Sequence, residues 1–378
     1  MVSTKPSLSL LRQISDETVL RALMDAPRLT RAEIAVATHL SKPTAGESIR
    51  RLASVGLVRD TGERTNGRGG VGSYFSIGQN VGVAIAVSIA PEGIVVERIN
   101  PDGSLTARHV EPIGRPGTPR TVARLLTKAA RAALDGIDRA EVRVAVVSAA
   151  DPVDRDSGAL VHLPDAPFLV GRLSPARTLA PLVGGSVMVD NDVNWAARAE
   201  RDARASATGA TLDDFVYLHL GEGLGCAVVS DEEVRRGHSG LTGEVAHLTV
   251  AGVDGRAVTF TDVFQQLGLR RAGSTAIDVE ALLAAVAGGS SPVESLAAAV
   301  GDVITSAIAF CDPRLIVVGG AWGTAAPVFD AVRARTSALA RSVPLERATA
   351  GGDSALAGAR STAIAELRAD IIARSRTS

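Results

Sequence analysis

Apolar positions near the start of the chain recur with helical spacing. Val19, Leu20 and Leu23 mark one face of a helix over roughly Asp16–Asp25, which stops before Pro27. Thr30-Arg31-Ala32-Glu33 reads as a capping box, in which the Thr30 hydroxyl and the Glu33 carboxylate each satisfy an N–H that the first helical turn leaves unpaired. The helix it opens runs through Ile34 and Ala35 to about Thr38. After a turn at His39-Leu40, Ser41 caps a third helix; Pro43 is tolerated there because first-turn amides have no helical partner. Ala45, Ile49 and Leu52 form the buried stripe of this helix, and Gly56 ends it. Leu57-Val58-Arg59, the glycine-rich stretch "TGERTNGRGGVGSYFSIG" and the returning run Tyr74–Ile77 predict a short hairpin.

Beyond Gly78 strands and helices alternate. Val81–Ile89, Ile94–Ile99 and Leu105–Val110 predict a three-stranded meander, with "PEG" and "PDG" as its turns. An alanine-rich amphipathic helix follows from Thr118 to Leu134, then a buried strand at Val142–Ser148. Ser186–Val189 is a further strand that runs into a helix starting at about Val193. The theme then repeats. Phe215–Leu220, Gly225–Val229 and Glu233–Arg236 form a second meander, and a helix from about Pro292 to Phe310 leads to the strand Leu315–Val318 and the turn Gly319-Gly320. Two copies of meander, helix and strand imply a duplicated α/β body, with a cleft between its lobes as the default ligand site.

The spacing in the third helix of the head leaves Lys42, Thr44, Glu47, Ser48, Arg50 and Arg51 off its buried stripe, near the Ser41 cap. In helix-turn-helix proteins the N-terminal end of the second helix of the pair enters the major groove. Arg64 and Arg68 sit in the hairpin, where arginine suits phosphates or a narrow minor groove. Helix-turn-helix plus basic hairpin is a winged helix, and these eight residues together with Ser41 are the candidate contacts to double-stranded operator DNA. The alternative is a helical docking domain whose polar face is merely solvated. Charge favours the first reading. Residues 1–80 carry eleven lysines and arginines against seven aspartates and glutamates, a formal +4 that leaves −5 for the rest of a chain of net −1. Gly46 inside the helix is unfavourable by about 1 kcal/mol relative to alanine, and either admits a close approach of DNA or is a tolerated defect.

"LHLGEGLGCAVV", "RRGHSGLTGEVAHLTV", "DNDVNWAARAE" and "DPRLIVVGG" resemble motifs of the ROK family of repressors, open reading frames and sugar kinases. The resemblance spans nearly the whole chain, and its most specific part is Gly-x-x-Gly-Glu-x-x-His. It implies an actin/hexokinase-like (ribonuclease H-like) two-lobed body, with residues 1–78 as the head. Residues 79–189 joined by 361–378 would form the first lobe and 190–360 the second. It also implies a sugar site at Asn191, Asp192, Glu244 and His247, the aspartate being the base in the family's kinases. The bland alternative for Asn191 and Asp192 is a helix cap.

Three departures separate the chain from those kinases. Their Asp-x-Gly-x-Thr phosphate loop is matched by Ala84, Ala86 and Ser88, and no aspartate occurs anywhere from Thr61 to Pro101; Glu92 lies beyond the place of the missing acid. Phosphoryl transfer needs that acid to organise Mg²⁺. His247 is followed by no cysteine, so a structural zinc is not expected. Ala149, Ala150 and Asp151 replace a Gly-x-Pro-Gly turn, which removes sugar contacts from that loop. The expectation is therefore a transcriptional regulator, a repressor, with no catalytic residue, metal or cofactor. It would act as a homodimer, with pairing of dimers left open, and take a carbohydrate effector in the cleft. A sugar kinase with an accessory head and a ligand-free dimerisation scaffold are the alternatives. Two cysteines cannot build a disulfide framework, no apolar run approaches the roughly 18 residues of a membrane span, and the chain is expected to be soluble and cytoplasmic.

Overall fold

The computed structural model describes residues 8–65, 72–114, 117–163, 168, 171–288 and 292–377. The head opens with α1 (Leu8–Met24), which begins earlier than the apolar spacing predicts. Its first two turns expose Leu8, Leu10, Leu11 and Ile14, so they carry no buried stripe from which a helix could be read. A two-residue strand β1 (Leu29–Thr30) precedes α2 (Arg31–Thr38), and both bonds of the capping box are present, Glu33 N–H to Thr30 Oγ1 at 3.2 Å and Thr30 N–H to Glu33 Oε2 at 2.7 Å. α3 (Lys42–Ser54) is capped by Ser41, and β2 (Val58–Arg64) pairs with β3 (Ser73–Ile77) to close the wing.

The body repeats one topology. β4 (Val83–Ala90), β5 (Gly93–Ile99) and β6 (Leu105–Glu111) form an antiparallel meander. After α4 (Pro119–Ala133), β7 (Val142–Ala149) joins β4 in parallel; after α5 (Pro175–Leu179), β8 (Ser186–Asn191) joins β7, giving the order β6-β5-β4-β7-β8. α6 (Asp192–Thr208) leads to the second meander, β9 (Phe215–Leu220), β10 (Leu224–Ser230) and β11 (Glu233–Val234). The hairpin of β12 (Thr249–Ala251) and β13 (Ala257–Thr259) follows, then α7 (Phe260–Gln266), α8 (Val279–Ala287) and α9 (Pro292–Cys311). β14 (Leu315–Gly319), α10 (Ala326–Ser337) and β15 (Leu345–Arg347) complete a sheet of order β11-β10-β9-β14-β15, with β14 and β15 parallel to β9. The strand orders of the two sheets correspond position by position, as the repeated pattern predicts.

α9 is 20 residues long and reaches mean hydropathy 1.5 over 18 of them, enough to cross a membrane by length and composition alone. Its apolar face belongs to the core instead. Leu296, Val300, Val303 and Ile304 are buried in the second lobe, and Asp302 accepts the Ala251 N–H at 2.9 Å. The stretch after His247 is likewise held by apolar packing. Phe264 packs at a tilt against both Phe260 and Trp322, with ring centroids 5.7 and 5.4 Å away.

The last helix, α11 (Ser354–Thr377), returns to the first lobe, ahead of the expected boundary at 361, and packs on β4, β7 and α6. It also reaches the head. Val19, Leu23, Ile49 and Phe75 of the head share one continuous core with Leu356, Leu367 and Ile371 of α11. Arg368 bonds the Met24 carbonyl and the Asp25 carboxylate, both at 2.8 Å, and Arg376 pairs with Glu17 at 2.7 Å. The head is thus anchored to the helix that also lines the cleft.

Candidate functional site in the winged head and the interlobe cleft

On the head, Lys42, Glu47 and Arg50 are exposed along one side of α3. Arg50 pairs with Glu47 at 2.8 Å and holds its carboxyl below the usual range. Ser41 and Thr44 serve the helix cap: Ser41 Oγ accepts the Thr44 N–H at 3.2 Å and meets its hydroxyl at 2.8 Å. Two of the sequence-based candidates do not belong to an open reading face. Ser48 is fully buried, because it lies three residues after Ala45 and so falls on the buried stripe despite its polarity. Arg51 turns back to α1, donating to Asp16 at 2.7 and 3.1 Å and to Ser48 Oγ at 3.0 Å. Arg64 is exposed beside Asp60 at 3.0 Å, and Arg68 lies outside the described residues. Sequence reasoning passed over Arg28 and Arg31, exposed cations stacked over Tyr74 and Phe75 at 4.8 and 5.3 Å from the ring centres. Their place at the opening of α2, opposite the wing strand, was the available signal.

Gly46 sits among these exposed residues, and a Cβ there would meet no protein atom within 4 Å. The fold itself therefore does not require glycine. Gly46→Ala is expected to stabilise the chain by about 1 kcal/mol and to weaken binding to a DNA duplex. Unfolding and anisotropy titrations check the two signs separately.

Between the lobes lies a cavity of about 610 Å³. Asp151 enters it from the end of β7, Asn191 and Asp192 from the junction of β8 and α6, and Glu92 from the β4–β5 turn. Glu244 and His247 come from the second lobe, carried on a short 3-10 turn. Close backbone approach explains the glycines of that motif. A Cβ at Gly240 would lie 1.9 Å from the Val153 carbonyl oxygen, and one at Gly243 would lie 1.7 Å from that of Cys226. These contacts press the Glu244 turn against β10 and the first lobe.

Asn191 is largely spent on structure. Its amide donates to the carbonyls of Ala149 and Asp151, both at 3.3 Å, and its Oδ1 accepts the Val193 N–H at 3.0 Å. It clamps the loop that carries Asp151 rather than offering donors to a ligand, which corrects the expectation of an open sugar contact. Asp192 also accepts the Val193 N–H, at 2.8 Å, yet its side chain remains on the cavity wall. Burial pushes Asp151, Asp192 and Glu244 each up to about 7. Mutual repulsion adds to it: Asp192 and Glu244 raise Asp151, Glu92 raises Asp192, and Asp192 raises Glu244. His219, also on the wall, is held neutral by burial, its pKa lowered to about 4.

On the first lobe, Ala84 and Ala86 are fully buried under this site, and Ser88, the next residue on the same face of β4, reaches the cavity. Residues 92–266 match the ROK family and residues 18–69 the MarR family. The residues that match the ROK family are just under half of the chain. The segment that matches the MarR family lies within the winged head. The chain is 23% identical to the xylose repressor of Caldicellulosiruptor bescii over 245 residues, 64% of this chain and 60% of that protein. It therefore spans about three fifths of the curated relatives it matches first. Its fold resembles that of a ROK family transcriptional regulator described as a homolog of the E. coli MLC protein, with TM-score 0.63 and 18% identity over 97% of this chain and 99% of the other. A ROK family glucokinase from Streptomyces griseus, solved with glucose and AMPPNP, matches 75% of this chain and 99% of its own at TM-score 0.56 and 22% identity.

Proposed function

We propose that the protein is a DNA-binding transcriptional repressor whose ROK body senses a carbohydrate-type ligand and performs no phosphoryl transfer. One observation carries the reading: α11 begins at the cavity with Ser354 and Leu356 and ends bonded to the head through Arg368 and Arg376. A ligand that prefers one lobe arrangement shifts the head only through an element both sites bias, and α11 is such an element. The named repressor relatives support the same reading. So does the first meander, where alanines replace the acid and glycine of a phosphate loop.

Two heads on a homodimer read half-sites one or more helical turns apart. Lys42 and Arg50 present cations from α3 and Arg64 from the wing, while Ser41 and Thr44 fix the start of the reading helix. Arg51 acts through Asp16, holding α3 against α1. In the cleft, Asp192, Glu244 and His247 hold ligand hydroxyls, and Asn191 fixes the loop behind them.

The test uses the full chain. Footprinting on genomic fragments should return a pseudo-palindromic site whose occupancy falls steeply with salt, and replacing Arg50, Arg64 and Arg68 together by alanine should abolish it. A coupled ADP-release assay with common hexoses should stay at background. Turnover that disappears in Asp192→Asn would reverse the assignment.

A further inference from the structure

The cleft holds a carboxylate oxygen, Asp151 Oδ2, that no donor among the described residues meets. Asp151 is 3% exposed, lines the cavity, and its buried Oδ2 has no hydrogen-bond partner. Among the described residues it has no ion-pair partner either, and Arg108, the one arginine on the cavity wall, is paired with Glu97 at 3.2 Å. Asp192 and Glu244 repel it. A buried carboxylate without donors is costly unless something else supplies them. Its loop is also not free to turn away, because Asn191 clamps the Ala149 and Asp151 carbonyls.

We propose that Asp151 is a specificity residue that selects a ligand bearing a protonated amine, so that the effector is an unacylated amino sugar or a comparable aminopolyol rather than a neutral sugar. The inference rests on the carbohydrate-sensing reading above and names the class of ligand. An ammonium group supplies both the missing donors and the countercharge that three neighbouring carboxylates lack, whereas a hydroxyl supplies donors alone. A metal ion fits less well, since among the described residues no three histidine, cysteine or acidic side chains converge as ligands. Asp151 stands where the resembling family has a turn residue. What the sequence suggests is an eroded sugar loop is, in the structure, a charged one.

The experiment is calorimetry and thermal shift on the full chain near neutral pH, with glucosamine, mannosamine and galactosamine, their parent hexoses and their N-acetyl derivatives. At least one free amine should bind about tenfold or more tighter than both neutral counterparts. Asp151→Asn should erase that preference, bringing the amine and its parent hexose to similar affinity. Asp151→Gly gives the same readout should the asparagine variant fold poorly. Equal binding of amine and hexose, or a preference that survives in both variants, overturns the proposal. If a neutral sugar binds and Asp192→Asn abolishes it, the sensing role stands and only the amine selectivity falls. If none of the nine compounds binds, both fall, and the body is a scaffold.

Discussion

Glu200→Ala is expected to lower the unfolding free energy by about 3–5 kcal/mol, as removal of one partner from a buried charged pair does elsewhere. Glu200 is fully buried on α6. Its carboxylate accepts from Arg204 Nε at 2.6 Å, the Thr349 N–H at 2.8 Å, the Thr349 hydroxyl at 3.0 Å and the Ala350 N–H at 2.9 Å. Alanine leaves two backbone N–H groups and part of a guanidinium without the acceptor they share, in a place only partly open to water. The loss falls on the joint between α6 and the segment that feeds α11. Glu200→Gln keeps the shape and part of the acceptor set and should cost clearly less. Urea titration of the three proteins checks the order, and an alanine variant within 1 kcal/mol of wild type would mean that water or relaxation replaces these bonds.

The duplicated architecture was legible because each copy spells its topology in local signals: two turns, an amphipathic helix and a β-branched strand. The head was legible for the same reason, through a capping box and a proline in the first turn of α3. The sites were read less well where a residue's role depends on its partner across space. Ser48 looks solvent-facing by polarity, but lies on the stripe with Ala45, Ile49 and Leu52. Arg51 looks like a DNA contact until Asp16, 35 positions away, takes donors from its Nε and Nη2. Asp151 carries the opposite lesson. Nothing local distinguishes a lost turn residue from a carboxylate that shares a cavity with Asp192 and Glu244, because the three line one cavity only when the two lobes are folded against each other.

Gly358→Ala is expected to cost stability and, more tellingly, to uncouple the cleft from the head. A Cβ at Gly358 would lie 2.0 Å from the Trp195 carbonyl oxygen and 2.8 Å from its carbon. Neither partner can give way alone. Trp195 is buried on α6 and its indole N–H bonds the Val147 carbonyl at 3.0 Å, so its backbone is held to the first sheet. The added methyl must lift α11 off α6. Overpacking usually costs about 1–3 kcal/mol, and backbone against backbone belongs at the upper end of that range. The displaced helix is also the one that runs from the cavity wall at Ser354 and Leu356 to the anchors of the head at Arg368 and Arg376. Operator affinity without ligand should change modestly, while its response to ligand should shrink or vanish. Anisotropy titrations with and without a bound sugar measure the two separately. A variant that unfolds at the wild-type temperature and still releases DNA on ligand binding would place the coupling in some element other than α11. A variant that keeps its fold at the temperature of the assay but loses only the ligand response would locate the coupling in the contact between Gly358 and Trp195.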